Sequence, residues 1–260
     1  MPSELQRPHP DWLRPDWDLP QINAFMTTRA GGVSQAPHAS MNVGASVQDA
    51  PEHVAANRAL VSGALQARAV FIHQVHGADV LHLQPQHAEP GWRPSRHDAS
   101  ISTTPGLGVA IQAADCLPVL FAAPGGVGGA HAGWRGLAAG VLENTVSALS
   151  SAAACEPGEI RAWMGACIGP EVFEVGADVL QAFGADPARP DPRFFFYRPN
   201  AAGEPRWRAN LVALARLRLQ AAGLTRISGG EWCTYSQDSR FFSYRRVPLG
   251  GRMVAAISLR

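Results

Sequence analysis

The longest apolar run of the chain, residues 106–134, is interrupted by Gln112, Asp115 and several glycines. It therefore falls short of the ~18 uncharged apolar residues of a membrane span. It divides instead into "GVAIQAA" (108–114), "CLPVLFAA" (116–123) and "VGGAHAG" (127–133). Short apolar runs of this kind read as buried strands, and the glycines of the third mark a place where something packs close. Around them, strands and helices interleave without a regular βαβ rhythm, and no G-x-G-x-x-G follows a first strand. A Rossmann nucleotide fold is disfavoured. The expectation is an α+β fold with mixed sheets in layers, without an internal repeat or a clear linker.

"INAFMTT" (22–28) reads as a strand running into the turn "RAGGVS", and "SMNVGAS" (40–46) as a short extended piece. "PEHVAANRALVSGALQA" (51–67) opens on proline followed by glutamate and repeats apolar residues at helical spacing, which predicts a helix. "AVFIHQV" and "DVLHLQ" predict two strands joined at "HGA". "LAAGVLENTVSALSSAAA" (137–154) predicts a second helix, and "IRAWMGACIG" a strand. "VFEVGADVLQAFG" (172–184) and "NLVALARLRLQAAGL" (210–224) predict helices stopped by glycine. "ISGGEWCTY", "RFFSYRR" and "GRMVAAISL" look strand-like, and loops 85–97 and 185–205 are expected at the surface.

Composition narrows the chemistry. The charged fraction of 17% and hydrophobic fraction of 46% describe a globular chain. The net charge of +1 gives no reason to expect nucleic acid or an anionic membrane as a partner. All 22 basic residues are arginines. Without lysine there can be no Schiff-base lysine, pyridoxal phosphate enzyme or Walker-type phosphate loop. The first 20 residues have no apolar core of a signal peptide, and Cys116, Cys155, Cys167 and Cys233 form no C-x-x-C pair. A reducing cytoplasm fits, with thiols free or bound to metal.

His76, Cys116 and His131 each stand at a strand-to-turn junction, where a side chain can leave a sheet and point into a cleft. Thiolate and imidazole are preferred zinc ligands, and three protein ligands leave a fourth position open. Spacings of 40 and 15 residues are not a local zinc signature, and buried structural histidine or cysteine is the competing reading for each residue alone.

"TTRAGGVS", "SMNVG", "QVHGADV", "ADCLPVLF", "HAGWRGLAAGVLE", "IGPEVFEVG", "CTY" and "FFSYRR" occur in the order found in the laccase-domain family. That family was first called multicopper polyphenol oxidase and later recognised as zinc-dependent purine nucleoside phosphorylases. The resemblance runs from about residue 22 to the C-terminus, leaving 1–21 as an N-terminal extension and 22–260 as the domain. It implies one α-β-β-α layered domain, with zinc held by His76, Cys116 and His131. Ala166 stands where the family usually has proline, "RHDAS" keeps Asp98 of the usual "ADA" stretch but changes what precedes it, and His73 reads as a neighbour of the ligands.

The implied substrates are a purine nucleoside (adenosine, inosine or methylthioadenosine) and phosphate, with adenosine deamination at the same zinc, in a monomer or weak homodimer. Without lysine, arginine must hold the phosphate, and its planar fork suits that anion. Arg29, in a glycine-rich turn, and Arg135, beside His131, are the candidates, with Asn42 as a neutral partner; an exposed turn residue and an Arg135–Asp115 salt bridge are the competing readings. Phe241, Phe242 and Tyr244 can stack a base or belong to the core, Cys233 and Tyr235 can line the pocket, and Cys155 and Cys167 read as buried small hydrophobes. Two alternatives stay open beside a non-catalytic zinc protein. One is an amide hydrolase, using zinc or Cys116 with His131 as base, acting on aberrant peptidoglycan precursors. The other, a copper polyphenol oxidase, is disfavoured. Its clusters need roughly ten histidines, mostly in H-x-H pairs. This chain has nine and no such pair.

Overall fold

The structure, a computed structural model, describes residues 8–260. In chain order it forms β1 (Ile22–Met26), α1 (Pro51–Leu65), β2 (Arg68–Phe71), β3 (Val80–His82), β4 (Ala99–Ser102) and β5 (Leu107–Ala113). The middle of the chain contributes β6 (Leu117–Ala123), β7 (Gly126–Ala132), α2 (Trp134–Ala138), α3 (Val141–Ala153), β8 (Arg161–Met164), β9 (Glu174–Val175) and α4 (Ala177–Ala182). β10 (Phe195–Tyr197), β11 (Trp207–Ala209), α5 (Leu211–Ala221), β12 (Arg226–Gly229) and β13 (Met253–Leu259) complete it. One sheet runs β1-β13-β5-β2 and another β12-β8-β6-β7-β4-β3, both mixing parallel and antiparallel pairs; β10-β11-β9 is a small third sheet.

The two large sheets lie face to face, which explains why their strands are apolar on both faces. Leu107, Val109 and Ile111 of β5 point between the sheets with Met253, Ala255 and Ile257 of β13, meeting Leu120 and Ala122 of β6. The alternate residues Ala110, Val254 and Ala256 turn the other way and pack under Val61 and Leu65 of α1. Beyond the six-stranded sheet, Val146 and Leu149 of α3 and Leu219 of α5 cover Ile101 and Phe121. The order of layers is therefore α-β-β-α, as the resemblance implied. The N-terminal segment also joins this packing, with Trp12 against Phe25 and Leu13 bridged to Met26.

The glycines of β7 are where the layers come closest. A Cβ on Gly129 would fall 2.7 Å from Val109 and 2.8 Å from Ile111 of the facing sheet, and one on Gly126 would fall 2.8 Å from Leu149 of α3. Helix α1 starts where proline predicts, and Gln66 closes it in a left-handed cap. Asn210 caps α5, its side chain accepting from the Ala213 N–H.

Elsewhere the reading needs correction. Residues 40–46 are loop, because the Asn57 side chain takes the carbonyls of Ser40 and Asn42. The helix at 137–154 is two, broken at Gly140 with φ 93°. In 172–184 a two-residue strand precedes a helix that begins only after Gly176. The stretch 185–205 is not all surface loop: it contains β10, whose Phe195 is buried. After Gly229 the 227–235 segment leaves the sheet. Residues 240–246 form turns, tied by Arg246 donating to the carbonyls of Thr234, Tyr235 and Phe241. β2 and β3 are both strands but belong to different sheets, so residues 72–79 cross from one to the other and carry His76.

Gly129→Ala is expected to destabilise the domain by about 1–3 kcal/mol, the usual cost of overpacking a filled interior. Urea unfolding measures it. An unchanged midpoint would show that the sheets have slack at this point.

Candidate metal centre and its cavity

The crossover turn, the β5–β6 corner and the end of β7 meet at one rim of the domain, bringing His76, Cys116 and His131 together. One donor atom of each lies within 4.8 Å of the others. The two imidazole rings are 4.9 Å apart between centroids, edge to face. Both approaches use left-handed backbone, at His76 (φ 62°) and at Asp115 (φ 90°), which turns the chain sharply and aims the side chains inward.

Asp98, at the start of β4, organises the cluster. Its buried carboxylate accepts from the backbone N–H groups of Val75, His76 and Gly77 at 3.0, 2.8 and 2.6 Å. It also accepts from His131 Nδ1 at 2.9 Å, and its own carbonyl accepts the His131 backbone N–H at 2.7 Å. This fixes the His131 tautomer with Nε2 free to face the cluster. Burial alone would raise the Asp98 pKa, but the bonds from His131, Gly77 and Val75 hold it below the ordinary carboxylate value.

Burial likewise opposes charge on Cys116 and His131, yet their mutual attraction prevails: the thiol is pulled down and the imidazole pushed up, helped by the Asp98 hydrogen bond. The cluster is thus built to hold a thiolate, the form that binds metal. Gly133 leaves it room. A Cβ there would fall 2.8 Å from Cys116 Sγ and 3.0 Å from His76 Nδ1, in the space where the donors converge. The donor set, the anchored histidine and this clearance fit a metal ion.

The cluster lines a cavity of ≈ 860 Å³. Four arginines also line it: Arg58, Arg135, Arg245 and Arg252. Among the described residues none of them forms an ion pair with a carboxylate. Arg58 Nε donates to the Val43 carbonyl and its guanidinium lies 4.2 Å from the Phe71 centroid. Arg252 Nη1 donates to the carbonyls of Gly250 and Gly251 and faces Tyr244. Arg135 stacks at 4.4 Å on Trp134, and Arg245 lies over Phe173. Among the described residues the one lining carboxylate, Asp115, accepts from the Thr234 and Ser243 hydroxyls and the Arg245 backbone N–H, not from Arg135.

The structure separates the other expected substrate residues from this cavity. Arg29 is not at its wall: Nε donates to the Ala39 carbonyl, Nη1 to that of Asp238, and the guanidinium covers Phe242. Asn42 is buried and spends its side chain on Asp49, Gly44 and the Arg252 backbone N–H, so it supports an arginine of the wall without lining it. Phe241 and Phe242 are core; Tyr244 lines the cavity, as does His73, which lies outside the metal cluster. Cys233 and Tyr235 do not line it, Cys167 is buried, and Cys155 is half-buried. Sequence reading passed over Asp98, Arg58, Arg245 and Arg252. Only Asp98 left a trace, as the retained residue of an altered "ADA" stretch.

Fold and rim together define a two-sheet layered protein with a three-residue site able to hold a metal. The family profile described as Multi-copper polyphenol oxidoreductase laccase matches residues 23–260, and the chain belongs to that family. The purine nucleoside phosphorylase of Pseudomonas aeruginosa is 45% identical over 253 residues, covering 96% of this chain and 98% of that protein. Purine nucleoside phosphorylase YfiH of Escherichia coli is 45% identical over 250 residues, with 94% and 97% covered. Among solved structures, a Neisseria meningitidis protein superposes with a TM-score of 0.84 at 37% identity, covering 96% of this chain and 99% of that one. YlmD from Geobacillus stearothermophilus superposes at 0.83 with 33% identity and 96% of both chains covered.

Asp98→Asn removes one acceptor oxygen from a carboxylate with four donors. It is expected to weaken metal binding roughly 10–100-fold, as loss of a ligand's carboxylate partner does. Competition against a chelator measures this, and unchanged affinity would show that His131 needs no such anchor.

Proposed function

We propose that this protein is a zinc-dependent purine nucleoside phosphorylase that cleaves adenosine or inosine with inorganic phosphate. What carries the reading is one cavity holding both an open His–Cys–His donor set and arginines free of carboxylate partners. The names of the relatives support it. His76, Cys116 and His131 suit zinc by type and number, leaving a fourth position. Bound there, zinc supplies Lewis acidity toward a substrate oxygen or toward water.

The chain's own residues account for the phosphate. A phosphate oxygen bonds to ribose C1′ as the C1′–N9 bond breaks, and the base leaves with the electron pair and takes a proton. The anion must be held still in line with that bond. Arg58 and Arg252 are suited to this, because backbone carbonyls and aromatic faces fix their guanidiniums without neutralising them. Removal of the adenosine C6 amino group by water would use the metal cluster but no phosphate. The assignment takes the phosphate role from Arg29, whose guanidinium is spent on carbonyls.

A second reading has its own observation. The Cys116 and His131 donor atoms lie within 4.8 Å of each other, and their attraction lowers the thiol and raises the imidazole, which without metal favours the thiolate–imidazolium pair of a cysteine hydrolase, suited to amide substrates such as aberrant peptidoglycan precursors. A multicopper oxidase would need a histidine-rich cluster beside such a His–Cys–His set, and among the described residues His76, Cys116 and His131 are the one group of this kind.

Adenosine with phosphate is expected to give adenine and ribose 1-phosphate, chelation to abolish the reaction, and zinc to restore it. Amide hydrolysis that survives chelation and stops on alkylation would favour the second reading. Arg58→Ala and Arg252→Ala are expected to raise the phosphate KM at least tenfold while deamination falls less, and Arg29→Ala to act on stability. Equal loss of both activities at unchanged phosphate KM would remove Arg58 and Arg252 from the phosphate site.

A further inference from the structure

Phosphorolysis of a neutral nucleoside requires one bound anion, yet the cavity is lined by four arginines that form no ion pair with a carboxylate among the described residues. Arg58 and Arg252 belong to the side of the four-stranded sheet: Arg58 Nε reaches the Val43 carbonyl, and the Arg252 backbone N–H donates to Asn42 in the same segment. Arg135 follows the six-stranded sheet, and Arg245 reaches the small third sheet. Arg135 sits in α2 directly after β7, and Arg245 Nη2 reaches the Glu174 carbonyl of β9. His76, Cys116 and His131 line the same cavity as all four. Arg58 and Arg252 are half-buried, whereas Arg135 and Arg245 are exposed and so stand at the solvent side, the mouth, of the cavity they line.

The mouth pair is placed for recognition of a ligand. Each guanidinium rests on an aromatic ring, Trp134 or Phe173, which restricts it without using up its charge. Asp115, the nearest carboxylate in sequence to the candidate metal ligands, accepts from two hydroxyls and the Arg245 backbone N–H and forms no ion pair with either guanidinium. Two guanidiniums without an ion-pair partner among the described residues, beside an apolar wall formed by Ile168, Phe173 and Leu211, are matched to a molecule that is part aromatic and part anionic.

The geometry points to a substrate that is itself anionic: a purine nucleoside 5′-monophosphate, whose 5′-phosphate is held by Arg135 and Arg245 while inorganic phosphate occupies the Arg58–Arg252 side. This rests on the phosphorylase reading above and names its substrate class. In the reaction, one oxygen of inorganic phosphate bonds to C1′ and the C1′–N9 bond breaks. The base leaves with the electron pair and takes the proton given up by the attacking phosphate. The products are the free base and ribose 1,5-bisphosphate, and no oxidant or further reactant is needed.

The test is calorimetric titration of the zinc-loaded full chain with adenosine and with adenosine 5′-monophosphate at fixed ionic strength, followed by phosphate-dependent turnover of both. The nucleotide is expected to bind at least tenfold more tightly than the nucleoside. Arg135→Ala with Arg245→Ala should erase that advantage, and Arg58→Ala should preserve most of it. Nucleotide binding no tighter than that of nucleoside overturns the proposal, even if adenosine is phosphorolysed. An advantage lost in Arg58→Ala but kept in the Arg135/Arg245 variant also overturns it, because the 5′-phosphate then merely occupies the inorganic phosphate side. Tight, mouth-dependent nucleotide binding with no phosphorolysis of either compound supports the anion site and refutes the phosphorylase reading instead.

Discussion

The Asp98 carboxylate ties together parts of the chain that have no other reason to meet. It accepts three successive backbone N–H groups of the 75–77 turn, where the chain passes from one large sheet to the other, and the imidazole of His131 at the end of β7. An unpaired carboxylate buried in this way would be costly, and so would orphaned N–H groups in a crossover turn. Each solves the other's problem. The consequence is that His76 is held in a left-handed conformation and His131 in one tautomer, and both present a ring nitrogen to Cys116.

That arrangement makes the candidate metal centre a product of the layering. The sheets approach closely because β7 has glycine at 126, 128 and 129, and the same run of small residues ends in Gly133, whose lack of a side chain leaves space between Cys116 and His76. Around this point the cavity is electropositive for a simple reason. Its arginines are positioned by carbonyl oxygens and aromatic faces, which orient a guanidinium but do not cancel it. With no lysine in the chain, all fixed side-chain cations at this wall are planar forks suited to phosphate.

The strands and the three candidate ligands were partly legible in the sequence, while the order of the layers and the ligand set itself came from the family resemblance. Apolar runs with glycine breaks marked β5, β6 and β7, and the three ligands fall at strand ends. Three of the four arginines lining the cavity were not legible. The glycine-rich turn made Arg29 look like an anion cradle, but its guanidinium folds back onto Ala39 and Asp238, whose carbonyls are brought to it only by tertiary structure. Arg58 on α1 and Arg252 before β13 are almost two hundred residues apart and carry no motif; packing alone makes them neighbours. Aromatic sequence near the C-terminus suggested strand and base stacking, yet Phe241 and Phe242 are buried in turns that Arg246 closes through three carbonyls. Long-range side-chain-to-carbonyl bonds leave no periodicity to read.

The central claim is that these three residues, oriented by one carboxylate, form an open metal site of mixed sulfur and nitrogen donors. X-ray absorption at the zinc edge of the protein purified without added metal tests it most directly. The account predicts one sulfur at about 2.3 Å, two imidazole nitrogens at about 2.0–2.1 Å and one further light atom that changes when nucleoside is added. A shell without sulfur, or a closed four-ligand protein shell indifferent to nucleoside, would contradict it.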